Sequence, residues 1–128
     1  MVKPVDKTAY RNYLKKAEEM LEVAKYAASR SRNTAAVTNA IHSAINAIDA
    51  LAMYYVGKRH SARHEDAIDL IRGILNESEF KEVKKQFSAL IELKNTAEYQ
   101  PYLMQKQEGD DAVKRASRIL AKVKEKIK

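Results

Sequence analysis

The chain has 128 residues, 45% of them apolar and 32% charged, the make-up of one globular domain, here expected to span residues 1–128. It contains no cysteine, which removes disulfides, thiolate zinc sites, iron–sulfur clusters and cysteine nucleophiles and fits a cytoplasmic protein. Lysine and arginine number 24 against 17 aspartates and glutamates, and the net charge of +7 draws phosphate-rich or acidic partners by long-range attraction.

Only three glycines and two prolines are available for tight turns, so an all-α, up-down antiparallel bundle of four to five helices is expected, without strands. No apolar run approaches the roughly 20 residues of a membrane span, and residues 1–7 lack the apolar stretch of a signal peptide, so neither membrane contact nor export is expected. Tyr10, Tyr13, Leu14, Ala17, Met20, Leu21, Ala24, Ala27 and Ala28 recur at helical spacing and predict a first helix from about Lys7 to Ser29, capped by Asp6. Arg30 to Arg32 breaks the pattern. Asn33 is placed to cap a second helix with Val37, Ala40, Ile41, Ala44, Ile45, Ile48, Leu51, Ala52 and Tyr55 inward, closed by Gly57. Its further alanines let neighbours approach from several sides, which makes it the central helix.

A short third helix follows, with Ala67, Ile68, Ile71, Ile74 and Leu75 inward and Glu65 and Asp66 in its first turn. Asn76 and Glu77 turn the chain, Ser78 is the expected cap of a fourth helix carrying Phe80, Val83, Phe87, Leu90 and Ile91 to about Ala97, and Pro101 forbids continuation. A polar connection to Gly109 precedes a fifth helix opened by Asp110 and Asp111. If each short connection reverses direction, the Lys58–His64 connection and the one that begins near Lys94 lie at one pole, together with the N-terminal residues.

The segment Lys58-Arg59-His60-Ser61-Ala62-Arg63-His64 concentrates three permanent charges and two histidines before a helix, an arrangement suited to a phosphate. A solvated turn in a basic protein is the plainer alternative. Lys94 continues the apolar stripe of the fourth helix, so its ammonium is expected to reach the shared pole in company with Asn95, Glu98 and Tyr99; the commoner arrangement lays the methylenes on the core and keeps the charge wet. His42 stands with Thr38, Asn39, Asn46 and Asp49 in a polar ridge. The residues three before each histidine are Asn39, Gly57 and Ser61, so the Glu-x-x-His elements of a di-iron bundle are missing, and neither metal nor cofactor is expected. Phosphate loops, nucleophile elbows and His-Glu-x-x-His motifs are missing too. Tyr10, Tyr13, Tyr26, Tyr54 and Tyr55 read as core or core-edge aromatics.

The order of these pieces resembles the HEPN family, small helical domains often found beside minimal nucleotidyltransferases. The likeness is carried by Tyr13-Leu14-Lys15-Lys16-Ala17, by Ala40-Ile41-His42-Ser43-Ala44-Ile45-Asn46-Ala47, and by Tyr54-Tyr55-Val56-Gly57 before the loop containing His64. Leu93-Lys94-Asn95-Thr96-Ala97-Glu98-Tyr99 looks like the family's Arg-Asn or Arg-x-x-x-Asp-Tyr region, and Asp110-Asp111-Ala112 follows it. Ribonuclease members carry an arginine, a polar residue and a histidine four to six residues after the arginine. Here Lys94 replaces the arginine, Asn95 fits the polar position, and Tyr99, Gln100 and Pro101 occupy the histidine positions. Lysine lacks the two-pronged donor and tyrosine is a poor proton shuttle near neutral pH.

The resemblance therefore implies an accessory protein without catalytic residues. It would form a homodimer with a shared basic cleft and bind RNA or a nucleotide, or dock with a minimal nucleotidyltransferase. Lys94, Asn95 and Tyr99 come to the site by position, and Lys58, Arg59, Arg63 and His64 by charge. Two alternatives stand beside it: a metal-independent ribonuclease toxin of a toxin–antitoxin pair, using Arg59 and His64, and a plain helical protein-interaction module.

Overall fold

The computed structural model describes residues 2–4, 6–60 and 64–127, with the backbone alone for 2–4, 7, 58–60 and 64–65. Five helices carry the fold: α1 (Tyr10–Ser29), α2 (Asn33–Val56), α3 (His64–Leu70), α4 (Glu77–Tyr99) and α5 (Lys106–Lys126). Two three-residue strands, β1 (Val2–Pro4) and β2 (Lys58–His60), pair antiparallel with Lys3 opposite Arg59. Composition predicts no strand because it counts hairpin turns. This pair joins segments more than fifty residues apart and needs none.

Local chemistry sets the helix ends. Asp6 Oδ1 accepts from Thr8 N at 3.0 Å and Thr8 Oγ1 at 2.9 Å, so Asp6 caps a 3-10 turn, Lys7–Ala9, that leads into α1. Ser31, at φ 58°, reverses the chain between α1 and α2. Asn33 is not the cap of α2 but its first helical residue, and its Oδ1 is buried without a hydrogen bond. Gly57 closes α2 in the left-handed conformation, φ 74°, as its sequence position predicts.

The cap of α4 is Asn76 rather than Ser78. Its Oδ1 accepts from Glu79 N at 2.8 Å, and Glu79 Oε1 accepts from Asn76 N at 3.1 Å. The fifth helix starts earlier than Asp110 and Asp111 suggest: Glu108 Oε1 accepts from Gln105 N at 2.7 Å, and Gly109 lies inside α5. Glycine serves packing there, since a Cβ would stand 3.2 Å from Asn33 Oδ1.

The core is one cluster around α2. Alanines at 36, 40, 44 and 47 of α2 and at 17 and 24 of α1 have no exposed surface, and Ser43 Oγ donates to Ala17 O at 2.7 Å. A side chain this short reaches a neighbouring backbone only where two helices lie very close. Phe87, Leu90, Ile119 and Val123 fill the opposite side with bulk.

Helix polarity differs from the count of reversals. Tyr55 Oη donates to Lys126 O at 2.5 Å, and Lys126 Nζ lies 2.7 Å from Glu79 Oε2, so the ends of α2 and α5 meet the start of α4. At the opposite pole Met104 N donates to Thr34 Oγ1 at 3.1 Å and Gly109 abuts Asn33. The seven residues of α3 rise only about 10 Å and cannot cross a bundle whose α2 is about 36 Å long, so α3 adds no reversal. The β1–β2 pair places the N-terminal residues beside the connection after α2, as expected. The connection after α4 lies at the other pole, contrary to expectation.

Candidate functional site

Lys94 sits on the penultimate turn of α4, and its side chain is only 18% exposed. Leu93 and Ala97 pack on the core beside it. Its ammonium donates to Glu98 Oε2 at 2.9 Å, an i,i+4 pair on one helix face. The cation offered by sequence to an external anion thus already holds a carboxylate. Tyr99 lies five residues on, about 140° around the helix axis, and is 73% exposed. Lys94 and Tyr99 do not converge, and Asn95 is exposed near them.

The basic segment lies elsewhere. From Glu79, at the pole that holds Tyr55 and Lys126, α4 rises about 22 Å to reach Lys94, whereas β2 begins directly after Gly57 at that same pole. The backbone of Arg59 in β2 therefore lies toward the pole opposite the end of α4 that carries Lys94. The side chains of Lys58, Arg59 and His64 and the whole of Arg63 lie outside the described residues.

The polar ridge of α2 turns inward on its own backbone. Asn39 Nδ2 donates to Ala35 O and Asn46 Nδ2 to His42 O, each at 2.8 Å, while the imidazole of His42 faces solvent. Among the described residues no group of three or more histidine, aspartate or glutamate side chains is placed to hold a metal, and no helix is long and apolar enough to cross a membrane.

Sequence reasoning missed the ion-pair node at Glu79. Lys126 at 2.7 Å and Lys122 at 3.3 Å converge on Glu79 Oε2, and Lys122 also reaches Glu125. The Lys126 hydrogen bond, followed by the Asn76 N–H, holds the Glu79 carboxyl at about 2, below its ordinary 4.5. Pairing raises the Lys122 ammonium, Glu125 first and Glu79 next. Such a node ties α4 to α5 and leaves no free charge for a ligand. The sequence carried a signal for the pair on α4, since Lys94 and Glu98 stand four apart, but none for contacts across 43 and 47 residues.

Tyr26 also departs from expectation: it is 65% exposed, not a core-edge ring, and Arg30 Cζ lies 6.0 Å from its centroid. Tyr10, Tyr54 and Tyr55 form an edge-to-face run at the far pole, with centroids 4.8 and 4.9 Å apart, but Tyr55, expected inward on α2, is 44% exposed.

Helix order and packing of this kind define a class, the small all-α bundles with a dominant alanine-rich helix. A model of the HEPN domain matches residues 10–126, and the chain belongs to the HEPN family. A crystal structure of an archaeal HEPN homologue is similar in fold, with a TM-score of 0.73 at 21% identity over 93% of this chain and 98% of that one. No curated protein sequence matches the chain.

Proposed function

We propose that this HEPN protein is a noncatalytic accessory that binds RNA or a nucleotide through the Lys58–His64 segment and docks with a protein partner, a minimal nucleotidyltransferase being the partner class the family resemblance suggests. The observation that carries the noncatalytic half is the Lys94–Glu98 ion pair. Phosphodiester cleavage needs a cation that meets the phosphate and a proton donor on the same side. Here the cation is engaged and the exposed Tyr99 lies on another flank. The net charge of +7 and the density of cations at 58–64 support the binding half. A homodimer belongs to the same proposal, and sedimentation of the purified chain tests it.

The decisive experiment combines a metal-free cleavage assay with a salt titration of RNA binding. The reading expects no cleavage above background and an affinity that falls with salt. Replacing Arg59 and Arg63 together by alanine should flatten the log–log slope by about 1.4, two single-strand contacts at about 0.7 each. Cleavage that disappears in His64→Ala would instead establish the ribonuclease alternative. No binding at low salt would leave the protein-interaction module.

A further inference from the structure

At the pole opposite the basic segment, the end of α1, the start of α2 and the connection after α4 surround two adjoining cavities. One, about 370 Å³, is lined by Ser31, Arg32, Asn33, Thr34, Leu103 and Met104 together with Ala35. The other, about 360 Å³, is lined by Val23, Tyr26, Ala27, Arg30, Arg32 and Ala35. Arg32 and Ala35 belong to both, so the two form one groove across the end of the bundle. Its rim carries exposed apolar side chains: Leu103 is 80% exposed, and Val23 and Tyr26 are at least half exposed.

The charge of the groove has one sign. No carboxylate lines either cavity, and both guanidiniums there, Arg30 and Arg32, are without an ion pair among the described residues. The first turn of α2 opens at the same place with no side-chain cap, so its amide end adds to the positive field.

We propose that this groove is a docking surface for an acidic amphipathic segment of a protein partner, with aliphatic or aromatic anchors seated against Val23, Ala35 and Leu103 and carboxylates facing Arg30 and Arg32. The proposal rests on the docking half of the reading above. A second copy is disfavoured by charge, because a two-fold contact through the groove sets one cationic groove against another. RNA is disfavoured by chemistry, because Leu103 and Val23 offer aliphatic surface where phosphates and bases favour cations and stacking rings. Apolar anchors rimmed by charge are the usual anatomy of helix-in-groove recognition.

The test uses the full chain, labelled for amide NMR, and three probes: a synthetic amphipathic helix with leucine and phenylalanine on one face and glutamates on the other, the same peptide with every glutamate changed to lysine, and a short single-stranded RNA. The acidic peptide should shift the amides of residues 23, 26, 32, 35 and 103. Leu103→Ser and Arg32→Glu should each weaken it tenfold or more, with the melting curve of the protein unchanged. The basic peptide should not bind there. Equal binding of both peptides, shifts confined to other residues, or affinity indifferent to both variants would overturn the assignment. So would RNA shifting the groove amides, or self-association mapped to them. RNA binding at residues 58–64 is measured on the same variants, which spare that segment, so failure of the groove and failure of the anion-binding reading are separately visible.

Discussion

Replacing Glu98 by glutamine keeps the length of the side chain and removes the charge that holds the Lys94 ammonium at 2.9 Å. The pair is an i,i+4 contact on a helix flank, so Glu98→Gln should cost the fold no more than about 0.5 kcal/mol. The functional effect should be larger. Net charge rises from +7 to +8, and one ammonium is released for a phosphate. If that ammonium takes one, the log–log dependence of RNA affinity on salt steepens by about 0.7. A charge-assisted contact worth about 1 kcal/mol raises affinity roughly fivefold at low salt.

Fluorescence anisotropy of a labelled single-stranded RNA, repeated at several potassium chloride concentrations, reads both quantities. Lys94→Ala supplies the control. In the parent protein it should change affinity less than twofold, because Glu98 already occupies the cation, whereas in the Glu98→Gln background it should erase the gain. A Lys94→Ala loss of equal size in both backgrounds would show that Glu98 does not silence Lys94, and the noncatalytic reading would lose its support.

Glu79→Gln should lower the melting temperature at pH 7, and the gap to the parent should close as pH falls. A carboxyl held at about 2 when folded and near 4.5 otherwise stabilises the fold above pH 4.5 and loses that contribution between 4.5 and about 2, which thermal melts across this range will show. Gly109→Leu should destabilise by about 1–3 kcal/mol in urea titrations, since even the first added carbon meets Asn33 at 3.2 Å; a stabilised variant would mean that α5 can move off α2. Phe87→Ala, at a residue only 1% exposed, should cost about 3–5 kcal/mol, and a loss below 1 would contradict the packing of α4 on the core.

Helix existence was legible because apolar spacing and burial are two expressions of one periodicity: Ala40, Ala44, Ile48 and Leu51 are predicted inward and are buried. Helix ends were less so. Asn76 and Ser78 both suit a cap, and the choice falls to Asn76 because Glu79 stands three residues beyond it and can answer its backbone. Gly109 looks like a stop and is instead a contact point, a distinction set by Asn33, 76 residues away in sequence. The polarity of α4 escaped because reversal counting treats every helix as long enough to cross, and α3 is not. Within the site, the residue types were visible at Lys94, Asn95 and Tyr99. Their directions were not, since a histidine or tyrosine five places from a cation shares its face only where the helix has ended, and α4 runs through Tyr99.

The pairing of Val2–Pro4 with Lys58–His60 has a practical consequence. Affinity tags are routinely joined ahead of the second residue, and here such an extension would emerge beside His60, one residue from Arg59, the cation whose contribution is to be measured. A polyhistidine leader in that place would add imidazoles to a binding titration near pH 6, and an acidic leader would compete for the guanidinium. Purification handles for this protein therefore belong after α5, or must be cleaved before any titration is read.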